Sequence, residues 1–432
     1  MKKVLKPSPL IEKRAFFLAP LMLASGALPT SWLFARSPMT QSSLKHDLST
    51  FVGFGEHRVG TPGEVATVKW LEQRLKAAGY TTTIDDFSVK TLLNPGGLLS
   101  AFDQKIKAFP QWLPPSDALG KVITAPLQAL EAPAGASSIR VLSSPTAFTA
   151  NWIPRLDNLV REAAAKGGTA LIMAIKHPTD DLFVCNQHSH DPFSIPVALI
   201  ANRDLATLSK ALHGANPSSA TSPASLTLLG ETANIKGFNV IGKKPGKGRM
   251  IVLSTPLTGW FACGGERGPG IALWLRMAQA LAQSDRPVLM LGTGSHEVGH
   301  LGMEHALSHG APSPNEVALW FHFGASLAAT KLDTHYRFKT PQYLVGLPTS
   351  ESWAKSALLK HLPLYVAGNS ATLGEARQVI GAGHRRFVGI SGFFPGFHTP
   401  ADDGQSVDYE KLEDIAQASL ALIQGVAALP DQ

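Results

Sequence analysis

Hydrophobic and polar positions alternate with two different periods along this chain. Residues 56–80 carry Val65, Val68, Leu71, Leu75 and Ala78 at helical spacing. Thr61, Pro62 and Glu64 supply a capping-box start, and Gly79 supplies a stop. Thr81–Val89 then reads as a strand. From Asn239 onward, short apolar runs alternate with helical patterns: Arg249–Ser254, Pro287–Gly292 and Val317–Phe323 read as buried strands. Gly270–Ala282 reads as a helix between them. A last helix starts near Ser406, with Leu412, Ile415, Ser419, Leu422, Ile423 and Val426 on one face. Strands separated by helices predict an α/β fold with a mainly parallel twisted sheet flanked by helices. Ligands of such sheets gather beyond the carboxyl ends of the strands. Between Leu92 and Ala233 the pieces are shorter and rich in Pro, Ala and Ser, which predicts a β-rich inserted domain.

Charge changes the picture at one end only. The net +7 looks at first like a nucleic-acid or membrane-surface signal. Residues 1–36 hold six cations (Lys2, Lys3, Lys6, Lys13, Arg14, Arg36) against Glu12, so +5 of the +7 lies there and +2 remains for the rest. A basic start followed by the uncharged apolar stretch Ala15–Ala35 is the layout of a secretory signal. The expectation is an exported protein, periplasmic or secreted, with no nucleic-acid partner. If the leader is uncleaved, residues 15–35 would anchor it to a membrane. Two cysteines, Cys185 and Cys263, make no disulfide framework.

Two strings carry candidate chemistry. Ser295-His296-Glu297-Val298-Gly299-His300 matches H-E-x-x-H, which on a helix places two histidines around zinc. Read that way, with Glu316 as a third ligand, the chain would be a thermolysin-like peptidase. The string follows directly on a buried strand through Gly292-Thr293-Gly294, and Gly299 and Gly302 weaken a helix there.

The second string is Phe397-His398-Thr399-Pro400-Ala401-Asp402-Asp403, with Val407-Asp408 and the final helix behind it. It resembles a motif of the M28 zinc metallopeptidases, whose fold the glutaminyl cyclases share. The resemblance continues in order. Gly53–Val89 is similar to that family's opening helix and strand, and Asn239-Val240-Ile241-Gly242 leads to the first core strand in the same way. Gly264-Gly265-Glu266-Arg267 with Gly270 looks like its GA-x-DN-x-SG segment. Gly294–Gly302 looks like its E-E-x-G-x-x-G segment.

The resemblance implies a leader over residues 1–36, a core of residues 45–90 and 236–430, and an inserted protease-associated (PA)-like domain over 91–235. It implies an aminopeptidase-type zinc hydrolase acting on a peptide or small amino-acyl substrate with metal-activated water. Zinc, one ion, would be held by Glu266, Glu297 and His398. The departures are as specific. Thr255-Pro256-Leu257 stands where the family has H-x-D, and His296 stands where its catalytic Glu precedes the ligand. His296 becomes the candidate base, His300 and His322 become possible further ligands, and the second metal site looks dismantled. Two readings follow: an active one-zinc hydrolase, and a non-catalytic homologue that binds a peptide or partner protein.

Overall fold

A computed structural model describes residues 41–111, 113–147, 152–186, 191–214, 223–329, 343–346, 364–367 and 374–428. The leader lies outside them. No described helix is long and apolar enough to cross a membrane.

The chain opens with α1 (Gln41–Gly53) and α2 (Pro62–Ala77). Thr61 caps α2 by accepting from the Glu64 N–H. The Glu64 carboxylate reaches back to the Gly60 N–H at 2.7 Å rather than to Thr61, so the expected capping box closes one residue early. β1 (Thr81–Ala101) runs well past the strand expected to end at Val89. It pairs antiparallel with the equally long β8 (Pro223–Lys244), from Thr81↔Lys243 to Ser100↔Ser225.

The far ends of these two strands carry β2 (Gln104–Lys107), β3 (Phe109–Pro110), β4 (Val122–Ala129), β5 (Ser138–Val141), β6 (Gly168–Met173) and β7 (Val197–Leu199). Two helices, α3 (Trp152–Ala165) and α4 (Asn202–Gly214), lie among them. This region packs a core of its own around Leu99, Leu127, Ile139, Ile172 and Leu226.

Beyond β8 come β9 (Met250–Pro256), α5 (Gly264–Ala280), β10 (Val288–Thr293), α6 (Leu301–His309), β11 (Val317–Phe323), β12 (Tyr343–Gly346), β13 (Leu364–Ala367), α7 (Glu375–Gly381), β14 (Phe387–Ser391) and α8 (Tyr409–Ala427). The sheet order is β13-β12-β14-β11-β9-β10-β8, continuing through β4 to β3. β10, β9, β11 and β14 are parallel neighbours, and β8 and β12 border them antiparallel. The fold is α/β, a large sheet flanked by helices.

Alternation explains the continuous apolar runs. In β9, Ile251 and Leu253 pack with α1, α5 and α8, while Val252 packs on the opposite face with Met303 of α6 and Val379 of α7. A strand covered by helices on both faces has no polar side to show. The stripe expected of α8 is buried at each position, from Leu412 to Val426.

Candidate functional site

Four loops leave the same edge of the parallel strands: Leu257–Cys263 after β9, Gly294–His300 after β10, Gly324 onward after β11, and Gly392–Asp408 after β14. Left-handed backbone at Phe261, Cys263, Ser295, His300, Ser326 and His398 falls in these loops. Strain of that kind collects at functional sites.

Helix α5 begins six residues before the expected Gly270, so Glu266 and Arg267 sit in its first turn. Asp402 makes that start possible. Its carboxylate accepts from the backbone N–H of Gly265 and from that of Glu266, at 2.5 and 2.9 Å. These are two of the donors that a helix start leaves without partners. Burial pushes the Asp402 carboxyl up to about 7, against the pull of those donors.

Glu266 is fully buried. Its Oε1 lies 2.6 Å from Arg267 Nη2 and 3.2 Å from His398 Nε2. Burial alone would raise this carboxyl. Arg267 and His398 outweigh burial and hold it below the ordinary range. Arg267 is itself buried, and its Nε donates to the Thr258 carbonyl at 2.8 Å.

Glu297 is held differently. One oxygen accepts from the Val59 N–H at 2.6 Å, and the other accepts from the Thr258 hydroxyl at 2.6 Å. Burial raises its pKa despite both bonds. Thr258 Oγ1 also accepts from the His296 N–H at 2.9 Å.

The H-E-x-x-H string does not form a helix face. His296, Glu297 and Gly299 lie in turns, and left-handed His300 precedes α6. Gly302, in the first turn of α6, packs so closely that any Cβ would lie 2.4 Å from the Gly294 carbonyl oxygen. Glu316 is exposed and accepts from the N–H and hydroxyl of Ser313, so it does not join the histidines. The thermolysin-like arrangement is therefore not built.

His296 Nδ1 instead meets Glu375 Oε1 at 2.9 Å, and Glu375 Oε2 accepts from the Thr293 hydroxyl at 2.7 Å. Burial, then the positive charge of Arg267, holds His296 well below the usual histidine range. Burial pushes Glu375 up to about 8. At neutral pH His296 is thus an uncharged, weakly basic imidazole. Gly374, at φ +60°, opens α7 beside it, where a Cβ would lie 3.4 Å from His296 Cε1.

His322 sits in β11. The Trp320 indole donates to Ser254 Oγ at 2.8 Å, and the same oxygen lies 2.9 Å from His322 Nδ1. Burial then lowers His322 to about 3. Ser254 thus engages the ring through Nδ1. His300 packs edge-on to His296, ring centroids 4.5 Å apart.

A row of rings leads inward to His398. Phe393, 57% exposed, lies 5.1 Å by centroid from Phe397. Phe397 stacks on His398 at 3.8 Å, and Phe183 flanks His398 at 5.4 Å. Phe183 belongs to the region between β6 and β7, whose Val184 N–H donates to the His398 carbonyl and whose Asn186 accepts from the Trp260 indole. Cys185 and Cys263 are both buried free thiols.

Zinc would need three or more converging donors at about 2.0–2.3 Å. Glu266 and His398 converge. Glu297 has both oxygens engaged by protein donors, and Glu266 already faces a guanidinium. Among the described residues no group of three or more His, Cys, Asp or Glu side chains is placed to hold a metal ion. The described residues do not fit zinc. Sequence reasoning did not find Thr258, Arg267, Glu375 or Asp402 as site-building residues. Arg267 stood in plain view beside Glu266, as a cation where the family motif has Asn.

A zinc aminopeptidase from Bacillus subtilis has the same fold, with TM-score 0.70, 17% identity, and coverage of 90% of this chain and 95% of its own. A peptidase M28 precursor from Shewanella amazonensis superposes at TM-score 0.67 and 16% identity, covering 91% and 95%. An aminopeptidase from Aneurinibacillus sp. gives TM-score 0.65 and 15% identity, covering 90% and 94%. No sequence-family description matches the chain. No curated protein matches it by sequence.

Proposed function

We propose that this protein binds a peptide or small amino-acyl ligand at the carboxyl ends of β9, β10, β11 and β14 without hydrolysing it through zinc. The fold is that of the M28 aminopeptidases. The observation that carries the binding reading is the ring row Phe393–Phe397–His398, which runs from solvent to the buried site. An exposed aromatic leading into a polar floor suits an apolar side chain attached to a peptide backbone. On this reading residues 91–235 are a PA-like module that supplies Phe183 and Asn186 to one wall. The basic, apolar leader supports export, and a reporter fused after residue 36 that stays in the cytoplasm would contradict it.

The test is calorimetric titration of the purified chain with a panel of di- and tripeptides, alongside mass spectrometry for cleavage. Binding should occur, survive chelator, and weaken about tenfold in Phe393→Ala, the loss of one aromatic anchor. Cleavage that disappears with chelator and with His398→Ala would overturn it. That outcome would favour the second reading, a zinc peptidase, which the 3.2 Å approach of Glu266 and His398 supports.

A further inference from the structure

We infer that the guanidinium of Arg267 is a built-in cation occupying the role that zinc plays in proteins of this fold. The inference rests on the misfit between zinc and these residues, and it stands apart from whether peptides bind.

Position comes first. By its place in the motif order, Glu266 stands where the resemblance puts an oxygen ligand of the metal. Its Oε1 is shared by two groups, Arg267 Nη2 at 2.6 Å and His398 Nε2 at 3.2 Å. A zinc ion ligated by that oxygen at about 2.0–2.2 Å would lie against a like charge.

Arg267 is also fixed in place. Its Nε donates to the Thr258 carbonyl, and it is 1% exposed. Gly259 gives it room, since a Cβ there would come 3.3 Å from Nε. Thr258 is the hub of the arrangement. Its carbonyl holds Arg267, and its hydroxyl caps Glu297. One residue thereby keeps the cation in and ties up the second acidic ligand of the resemblance.

Charge closes the argument. A buried carboxylate needs a partner. In a zinc enzyme the partner is the metal. Here it is a guanidinium of the chain itself, which no chelator removes. A guanidinium balances charge and donates hydrogen bonds, but it does not acidify water as zinc does.

The experiment measures metal content of the full chain after equilibration with zinc and dialysis, together with thermal shifts in zinc and in EDTA. Wild type should retain no stoichiometric zinc and melt at the same temperature in both. Thr258→Ala with Arg267→Asn removes the cation and frees a Glu297 oxygen as a third donor beside Glu266 and His398. This double variant should gain about one zinc per chain and a zinc-dependent rise in melting temperature. Adding His398→Ala to it should abolish both. Arg267→Lys, which keeps the charge, should stay zinc-free. Wild-type zinc that His398→Ala removes, or a folded double variant that takes up none, overturns the inference. If the double variant does not fold, the wild-type and Arg267→Lys contents decide, zero supporting the inference and one per chain overturning it. Zinc-free wild type that binds no peptide sinks the binding reading and leaves this inference standing.

Discussion

Thr258 joins three site residues through two oxygens. Its hydroxyl accepts from His296 N–H and donates to Glu297, and its carbonyl accepts from Arg267. Thr258→Val keeps the shape but removes both hydroxyl bonds. It should cost about 1–3 kcal/mol by urea unfolding, because it strands a buried carboxyl oxygen and a buried N–H. The Glu266–Arg267 pair is the larger liability. Glu266→Gln leaves a buried guanidinium uncompensated and should cost about 3–5 kcal/mol, whereas Glu266→Leu with Arg267→Met should recover most of the loss. A double variant no more stable than Glu266→Gln would contradict the pairing. Motif order singled out Glu266, Glu297 and His398 as candidate ligands. It could not reveal what each one touches. The Val59 N–H that caps Glu297 is 238 positions away, and Glu375 is 79 positions from His296. No local pattern encodes such partners.

At the scale of elements, α5 shows where local propensity misleads. Gly264-Gly265, Gly268, Pro269 and Gly270 argue for a loop, so the pattern alone starts the helix at Gly270. The observed start at Gly264 depends on Asp402, a residue from another loop, acting on two backbone donors. Asp402→Ala should therefore fray the first turn, displace Glu266 and Arg267, and cost about 1–2 kcal/mol. Asp408 caps α8 through the N–H groups of Glu410 and Lys411 at an exposed position. Asp408→Ala should cost about 0.5–2 kcal/mol without changing ligand binding. Hydrogen exchange at Gly265 and Glu266 separates the two cases, rising in the first variant only. Helices with regular stripes, α2 and α8, were legible because their apolar spacing is local. The H-E-x-x-H string was ambiguous for the opposite reason, since what forbids the longer helix is non-local: left-handed backbone at Ser295, Gly299 and His300 and the tight packing of Gly302 against Gly294.

The described residues form a sheet flanked by helices with several buried ionisable groups, and those groups set the response to pH. Burial holds the carboxyls of Glu64, Glu375 and Asp402 up at about 8, 8 and 7. Above about pH 6.5 the unfolded chain has already released these protons, while the folded chain still holds them. Stability is therefore expected to fall as pH rises from about 6.5 to 8, through the folded values. Below about 6.5 an opposite effect enters, because His57, His177 and His322 stay neutral in the fold at about 4, 4 and 3. Glu375→Gln should flatten part of the fall between pH 6.5 and 8 in urea midpoints, and a wild-type midpoint that rises across that window would contradict the assignment. At this scale the α/β sheet was readable from strand–helix alternation, but the length of β1 and β8 was not. Their outer halves gain definition from pairing with each other and with β2 and β4.

The central claim is that a guanidinium stands where this fold would otherwise place a metal. Its most direct test is a crystal of the wild-type protein grown in zinc, with diffraction recorded on both sides of the zinc absorption edge. The account predicts no anomalous peak between Glu266 and His398, and continuous density for the Arg267 guanidinium against Glu266. An anomalous peak bonded to Glu266 and His398, with Arg267 turned away, would contradict it.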